Sequence, residues 1–154
     1  MLIVVCLDLE DGIEPVRALA GFGCITRSNV TLLHIVDTAE RTTLEDAMRP
    51  GLVRPAIRDV EESLDADERE MLRSAHEQAA TILEAAGAGE VKLNVGTGRP
   101  ERVILSYLSE ANADLCVVGR RPDWHENSDI GPRSVGKVAR FVIDHAPCPV
   151  LVFR

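Results

Sequence analysis

Leu2-Ile3-Val4-Val5-Cys6-Leu7, closed by Asp8, is the stretch on which the fold turns. A continuous apolar run with no polar alternation reads as a strand covered on both faces, which points to a parallel sheet with helices on either side. Such a strand belongs in the centre of its sheet. Beyond it, Asp11-Gly12-Ile13-Glu14-Pro15 opens a short helix with Pro15 in the first turn. Val16, Leu19 and Ala20 follow at helical spacing, and Gly21 and Gly23 end it. Val30-Thr31-Leu32-Leu33-His34-Ile35-Val36 repeats the buried-strand pattern, and Asp37 stands at its carboxyl end as Asp8 does after the first. The three segments make a βαβ unit.

Residues 38–62 break the rhythm, because Pro50, Gly51 and Pro55 interrupt a polar stretch, and an irregular excursion is expected there. From Asp65 the acids Asp67, Glu68 and Glu70 suit a helix's positive first turn. Leu72, Ala75, Ala79, Ile82, Leu83 and Ala86 then form one apolar stripe that Gly87 terminates. Val91-Lys92-Leu93-Asn94-Val95 alternates, as an edge or half-covered strand does. Gly98-Arg99-Pro100-Glu101 turns into a helix bearing Val103, Ile104, Tyr107, Leu108 and Ala111. Leu115-Cys116-Val117-Val118 is a buried strand that ends at Gly119. Val135, Val138, Ala139 and Val142 mark the last helix, and Pro147 and Pro149 lead into a final strand, Val150 to Phe153. Strands alternating with helices specify a doubly wound α/β fold, one domain over 1–154, with a five-stranded parallel sheet and helices on both faces. Ligands of such sheets bind beyond the carboxyl ends of the strands, where strand order reverses. The loops after Leu7 and Val118 are therefore the places to look.

Composition agrees. A chain of 154 residues, 45% hydrophobic and 27% charged, supports one core. Lys and Arg total 17 against 25 Asp and Glu, and the net charge of -8 disfavours nucleic acid and anionic membrane partners. Cys6, Cys24, Cys116 and Cys148 form no C-x-x-C pair and read as buried thiols. No apolar run reaches the roughly 18 residues a membrane span needs, and Asp8 cuts the first apolar stretch too early for a signal peptide. A cytoplasmic location is expected.

The chemistry concentrates between Gly119 and Lys137. Arg120, Arg121, Arg133 and Lys137 place four cations in one short region of an acidic chain, just before a helix start that offers unpaired N–H groups to an anion. These bases either meet a phosphate or pair with Asp123, Glu126 and Asp129 in a solvated loop. Gly131 to Val138 runs G-x-x-x-x-G-K-V, close to a phosphate-cradling loop, but Val138 stands where that loop needs a magnesium-binding hydroxyl. Ser134 suits a helix N-cap, since no G-x-S-x-G elbow surrounds it. Asp8 offers a carboxylate to ribose hydroxyls or an adenine amino group, and a turn or cap role is equally open to it. The four histidines are dispersed, so neither a metal cluster nor a His-centred triad is expected, and nothing requires catalysis.

Ala113-Asp114-Leu115-Cys116-Val117-Val118-Gly119 and Gly136-Lys137-Val138-Ala139-Arg140-Phe141-Val142-Ile143-Asp144-His145-Ala146-Pro147-Cys148-Pro149-Val150-Leu151-Val152 closely resemble the universal stress protein family. The likeness extends to Ile3 through Asp8, Leu32 through Asp37 and Gly98-Arg99-Pro100-Glu101. The resemblance implies strand order 3-2-1-4-5, dimers formed through strand 150–153, and a stress-response role. It also implies ATP or AMP as ligand, held through a pattern G-x-x-G, nine residues, then G-[ST], with an aspartate after the first strand. Asp8 matches that aspartate, Gly119 the first glycine and Gly136 the third. The second glycine is Pro122, the hydroxyl residue is Lys137, and the spacing from Gly119 to Gly136 is four residues longer than the pattern. Pro122 removes a donor and fixes φ, so the usual phosphate-wrapping turn cannot form unchanged. Lys137 substitutes a long cation for a hydroxyl.

Two functions follow from these residues. In the first, Asp8 and main-chain groups at Val36 and Asp37 hold adenosine, while Gly119, Arg120, Arg121, Gly131, Arg133, Ser134, Gly136 and Lys137 receive the phosphates, with hydrolysis at most slow and incidental. In the second, a dimeric interaction module of the same family binds no nucleotide and contacts a protein partner through the loop that carries Trp124, the sole tryptophan.

Overall fold

β1 (Leu2–Leu7) occupies the middle of the sheet and buries side chains on both faces, as its uninterrupted apolar run requires. The computed structural model describes residues 1–8, 12–23, 25–37, 64, 66–119 and 135–153. The excursion expected over 38–62, the loop with Trp124 and Cys24 lie outside the described residues. After β1 come α1 (Glu14–Gly21), β2 (Asn29–Val36), α2 (Ala66–Ala85), β3 (Val91–Thr97), α3 (Pro100–Glu110), β4 (Leu115–Gly119), α4 (Lys137–His145) and β5 (Val150–Phe153). All strand pairs are parallel and the order is β3-β2-β1-β4-β5, as the resemblance implied. β1 connects towards β2 on one side and abuts β4 on the other, so the order reverses between β1 and β4.

Side chains alternate across the sheet. Ile3, Val5 and Leu7 point to one face, where Val16 and Leu19 of α1 and Ala79 and Leu83 of α2 cover them. Val4 points to the other, with Leu33, Cys116 and Val118 under Ile104 and Leu108 of α3 and Ala139 and Val142 of α4. Each fully buried leucine contributes about 1.5–3 kcal/mol of transfer free energy, so both faces anchor their helices firmly. Most of the stripes read from the sequence make these contacts, with three departures: Ala75 belongs to neither cluster and lines a surface cleft, Ala111 is the C-cap of α3 outside both clusters, and Val135 precedes α4 and only packs against the second cluster.

The long helix stops where Gly87 said it would. Gly87 takes φ +87, its N–H donates to the Glu84 carbonyl at 2.9 Å, and the Ala88 N–H donates to the Leu83 carbonyl at 2.9 Å. This left-handed closing turn satisfies carbonyls the helix end would otherwise leave open. α3 closes the same way with Asn112 at φ +50, a conformation asparagine tolerates better than most residues.

β3 and β5 are the two edges. The alternation of β3 reflects that position: Lys92 is exposed, and Asn94, half-buried under α3, donates its amide to the Tyr107 hydroxyl at 2.7 Å. All four residues of β5 are half-buried. Cys116 is buried and Cys6 and Cys148 are half-buried, so burial of the thiols is less complete than expected; all three are free. The Cys116 side chain hydrogen-bonded to Cys6, together with burial, pushes the Cys6 thiol well above its ordinary value, which keeps it protonated and unreactive. Among the described residues, no helix is long and apolar enough to cross a membrane.

Candidate functional site

Parallel register brings the chain's candidate residues to one edge. Leu7 lies opposite His34 and Val5 opposite Val117, so continuing the β1–β4 pairing sets Leu7 beside Gly119. Asp8, exposed, is the first residue past β1 at the point of reversal. Val36 ends β2 next door, and Asp37 follows it. Helices in this topology run back against the strands, so the start of α4, with Gly136 and Lys137, returns to the same edge. Of the expected ligand residues, Asp8, Val36, Asp37, Gly119, Gly136 and Lys137 are therefore grouped at the carboxyl edge. Arg120, Arg121, Gly131, Arg133 and Ser134 lie outside the described residues, as does Pro122.

Gly136 is the N-cap of α4 at φ +84 and ψ 161, a backbone conformation that excludes most side chains. No acidic residue occupies the first turn of α4, and exposed Lys137 is its first residue, so the positive end of the helix faces the edge unopposed by a carboxylate of its own. The Val36 carbonyl accepts the Gly98 N–H at 3.1 Å, which occupies one of its two lone pairs and leaves it with half its acceptor capacity.

Beside Asp8 the surface opens into a cleft of about 450 Å³ between the start of α1 and the first half of α2. Leu7, Ile13, Met71 and Ala75 give it apolar walls, and Asp8, Glu70, Ser74 and Gln78 supply polar groups. Met71, Ser74, Ala75 and Gln78 fall at i, i+3, i+4 and i+7, one face of a helix adjacent to the core stripe of Leu72, Ala79 and Leu83. The α2 wall was not read from the sequence. Ala75 reads in the sequence as part of the core stripe, while Met71, Ser74 and Gln78 resemble an ordinary solvated face until the fold brings α2 against α1.

His34 sits at the edge of the same region. Its Nδ1 donates to the Leu7 carbonyl at 3.3 Å, which fixes the tautomer because a carbonyl can only accept. Burial pushes the imidazole below its ordinary value, more than the Leu7 carbonyl and the carboxylates of Asp8 and Glu68 draw it back up. Neutral imidazole is thus the resting form near pH 7, and the ring braces the last peptide of β1. Among the described residues, no group of three or more His, Cys, Asp or Glu side chains is arranged to hold a metal ion.

A family model described as the universal stress protein family matches residues 3–154. No curated protein matches the chain. The solved universal stress protein UspA from Lactobacillus plantarum is 24% identical with a TM-score of 0.67, covering 100% of this chain and 97% of its own. A universal stress protein from Archaeoglobus fulgidus, solved in complex with dAMP, is 23% identical with a TM-score of 0.58, covering 100% of this chain and 98% of its own. A family protein from Arabidopsis thaliana, solved with AMP bound, is 15% identical with a TM-score of 0.56, covering 99% and 90%.

Proposed function

Because the chain belongs to the universal stress protein family, we propose that it acts as a single-domain stress-response protein that binds an adenine nucleotide, AMP or ATP, at the edge where β1 and β4 part. The observation that carries this is the cleft of about 450 Å³ that opens beside Asp8 at the carboxyl end of β1, within the size range of small-molecule sites. The Archaeoglobus and Arabidopsis proteins of the same fold, solved with dAMP and AMP, support the choice of ligand class. Asp8 and the backbone at Val36 and Asp37 take the adenosine. Gly119, Gly136 and Lys137 take the phosphate, with Arg120, Arg121, Gly131, Arg133 and Ser134 from the connecting loop. Lys137 acts there as a point charge in place of the hydroxyl found in the family pattern. The role is binding and signalling, with no chemical step.

The same protein is proposed to pair with a second copy through β5, whose apolar residues Val150 to Phe153 form an open sheet edge within one chain. Sedimentation with AMP present, followed at the adenine absorbance band, tests both statements at once. AMP is expected to travel with a species of twice the 16.8 kDa chain mass. AMP that stays behind would remove the ligand, and a species of the single-chain mass would remove the pairing.

A further inference from the structure

Leu7 and His34 stand opposite each other where β1 and β4 part. β1 keeps its pairing with β2 from Leu2 through Leu7, whereas its pairs with β4 run from Ile3 to Val5. The last peptide of β1, which carries the chain on to Asp8, therefore stays with β2. There the His34 Nδ1 donates to the Leu7 carbonyl at 3.3 Å, a tie from the side chain of one strand to the main chain of the next. His34 shares a strand face with Leu32, which lies in the core under α1 and α2, so the half-buried ring stands on the side those helices cover.

The groups around the ring make this tie sensitive to a proton. Because Nδ1 carries the hydrogen that the Leu7 carbonyl accepts, Nε2 is the nitrogen left to take one up. The carboxylates that act on the ring come from two elements: Asp8, next after β1, and Glu68 in the first turn of α2. On the β3 side its register partner is the uncharged Val95. Burial outweighs the two carboxylates and favours the neutral ring, so acid has to force a charge into a partly dry position. Once charged, the imidazolium attracts the Asp8 carboxylate, the same group that takes adenosine in the binding mode above.

We propose that His34 is a positioning residue for the ligand edge: its neutral ring holds the end of β1, and with it Asp8, in the binding geometry, and proton uptake at Nε2 in mild acid weakens nucleotide binding. This regulation rests on the nucleotide-binding function above. Its sign follows from burial: the neutral ring dominates near pH 7, and the charged ring grows in only as the pH falls below the ordinary histidine range.

Titration calorimetry with AMP at about pH 7.5 and about pH 5, on the wild type, His34→Asn and His34→Leu, tests it, with a thermal melt of each to establish folding. Asparagine sets an amide N–H near the position of Nδ1 and does not titrate, whereas leucine fills the space with no donor. At the higher pH His34→Leu is expected to bind AMP about three- to tenfold more weakly, the range for one lost hydrogen bond, and His34→Asn to recover most of that loss. Between the two pH values the wild type is expected to lose at least about threefold more affinity than His34→Asn. The AMP phosphate takes up a proton over the same interval with both proteins, so the difference belongs to His34. Equal pH dependence in wild type and His34→Asn would overturn the acid response, and this comparison stands even where His34→Leu does not fold. Wild-type affinity in a folded His34→Leu protein at the higher pH would overturn the positioning role while leaving nucleotide binding intact. No AMP binding by the wild type at either pH would remove both.

Discussion

Asp8→Ala is expected to weaken AMP binding by about 10- to 100-fold without unfolding the protein. Hydrogen bonds to an ionised group contribute about 1.5–3 kcal/mol, and each 1.4 kcal/mol is tenfold in affinity. In the proposed binding mode Asp8 accepts such bonds from its position one residue past the central strand, at the reversal of strand order and on the wall of the cleft. It is also exposed, so its removal is expected to leave the core and the fold in place. Calorimetric titration of AMP into both proteins, with a thermal melt of each, separates the two effects. Equal affinity in both would show that the carboxylate takes no part in binding. A large drop in melting temperature would show that Asp8 is a structural residue of the turn.

Leu83→Ala is expected to cost about 2–5 kcal/mol of stability, the range for truncating a buried leucine to alanine. Leu83 is fully buried among Ile3, Val5, Leu19 and Ile25, so the cavity left behind cannot collapse without shifting β1 or α1. Its carbonyl is also the acceptor that closes α2 through the Ala88 N–H at 2.9 Å, so the last turn loosens with the packing. Domains of this size hold about 5–15 kcal/mol in total, and a domain of this length loses about 2–4 °C of melting temperature per kcal/mol. The variant should therefore melt roughly 5–20 °C below the wild type. A loss under about 1 kcal/mol in chemical denaturation would mean that α2 is not anchored where its stripe places it.

Most of the architecture was legible because burial on two faces leaves a plain mark. Leu2 to Leu7 and Leu115 to Val118 carry no polar alternate, and both became interior strands. The alternation of Val91 to Val95 gave away an edge, and its polar member Asn94 found a specific partner in Tyr107. Strand order is different in kind. Periodicity says that strands are parallel and does not say which neighbours which, and the order came from likeness to a family. The site was legible only in part. Asp8, Gly119, Gly136 and Lys137 stand at strand and helix ends, where the fold class directs attention, and they share one edge. Glu70, Ser74 and Gln78 look in the sequence like the solvated face of a charged helix, and only tertiary packing of α2 against α1 turns that face into a wall. His34 was equally hidden, since a histidine inside an apolar run shows neither its tautomer nor the Leu7 carbonyl it braces.

A crystal grown with AMP bears most directly on whether the carboxyl edge between β1 and β4 holds a nucleotide. Adenosine density beside Asp8 and the end of β2, with the phosphate near Gly136 and Lys137, is the expected finding. An edge occupied by the protein's own side chains at saturating AMP would contradict nucleotide binding and leave the family fold standing alone.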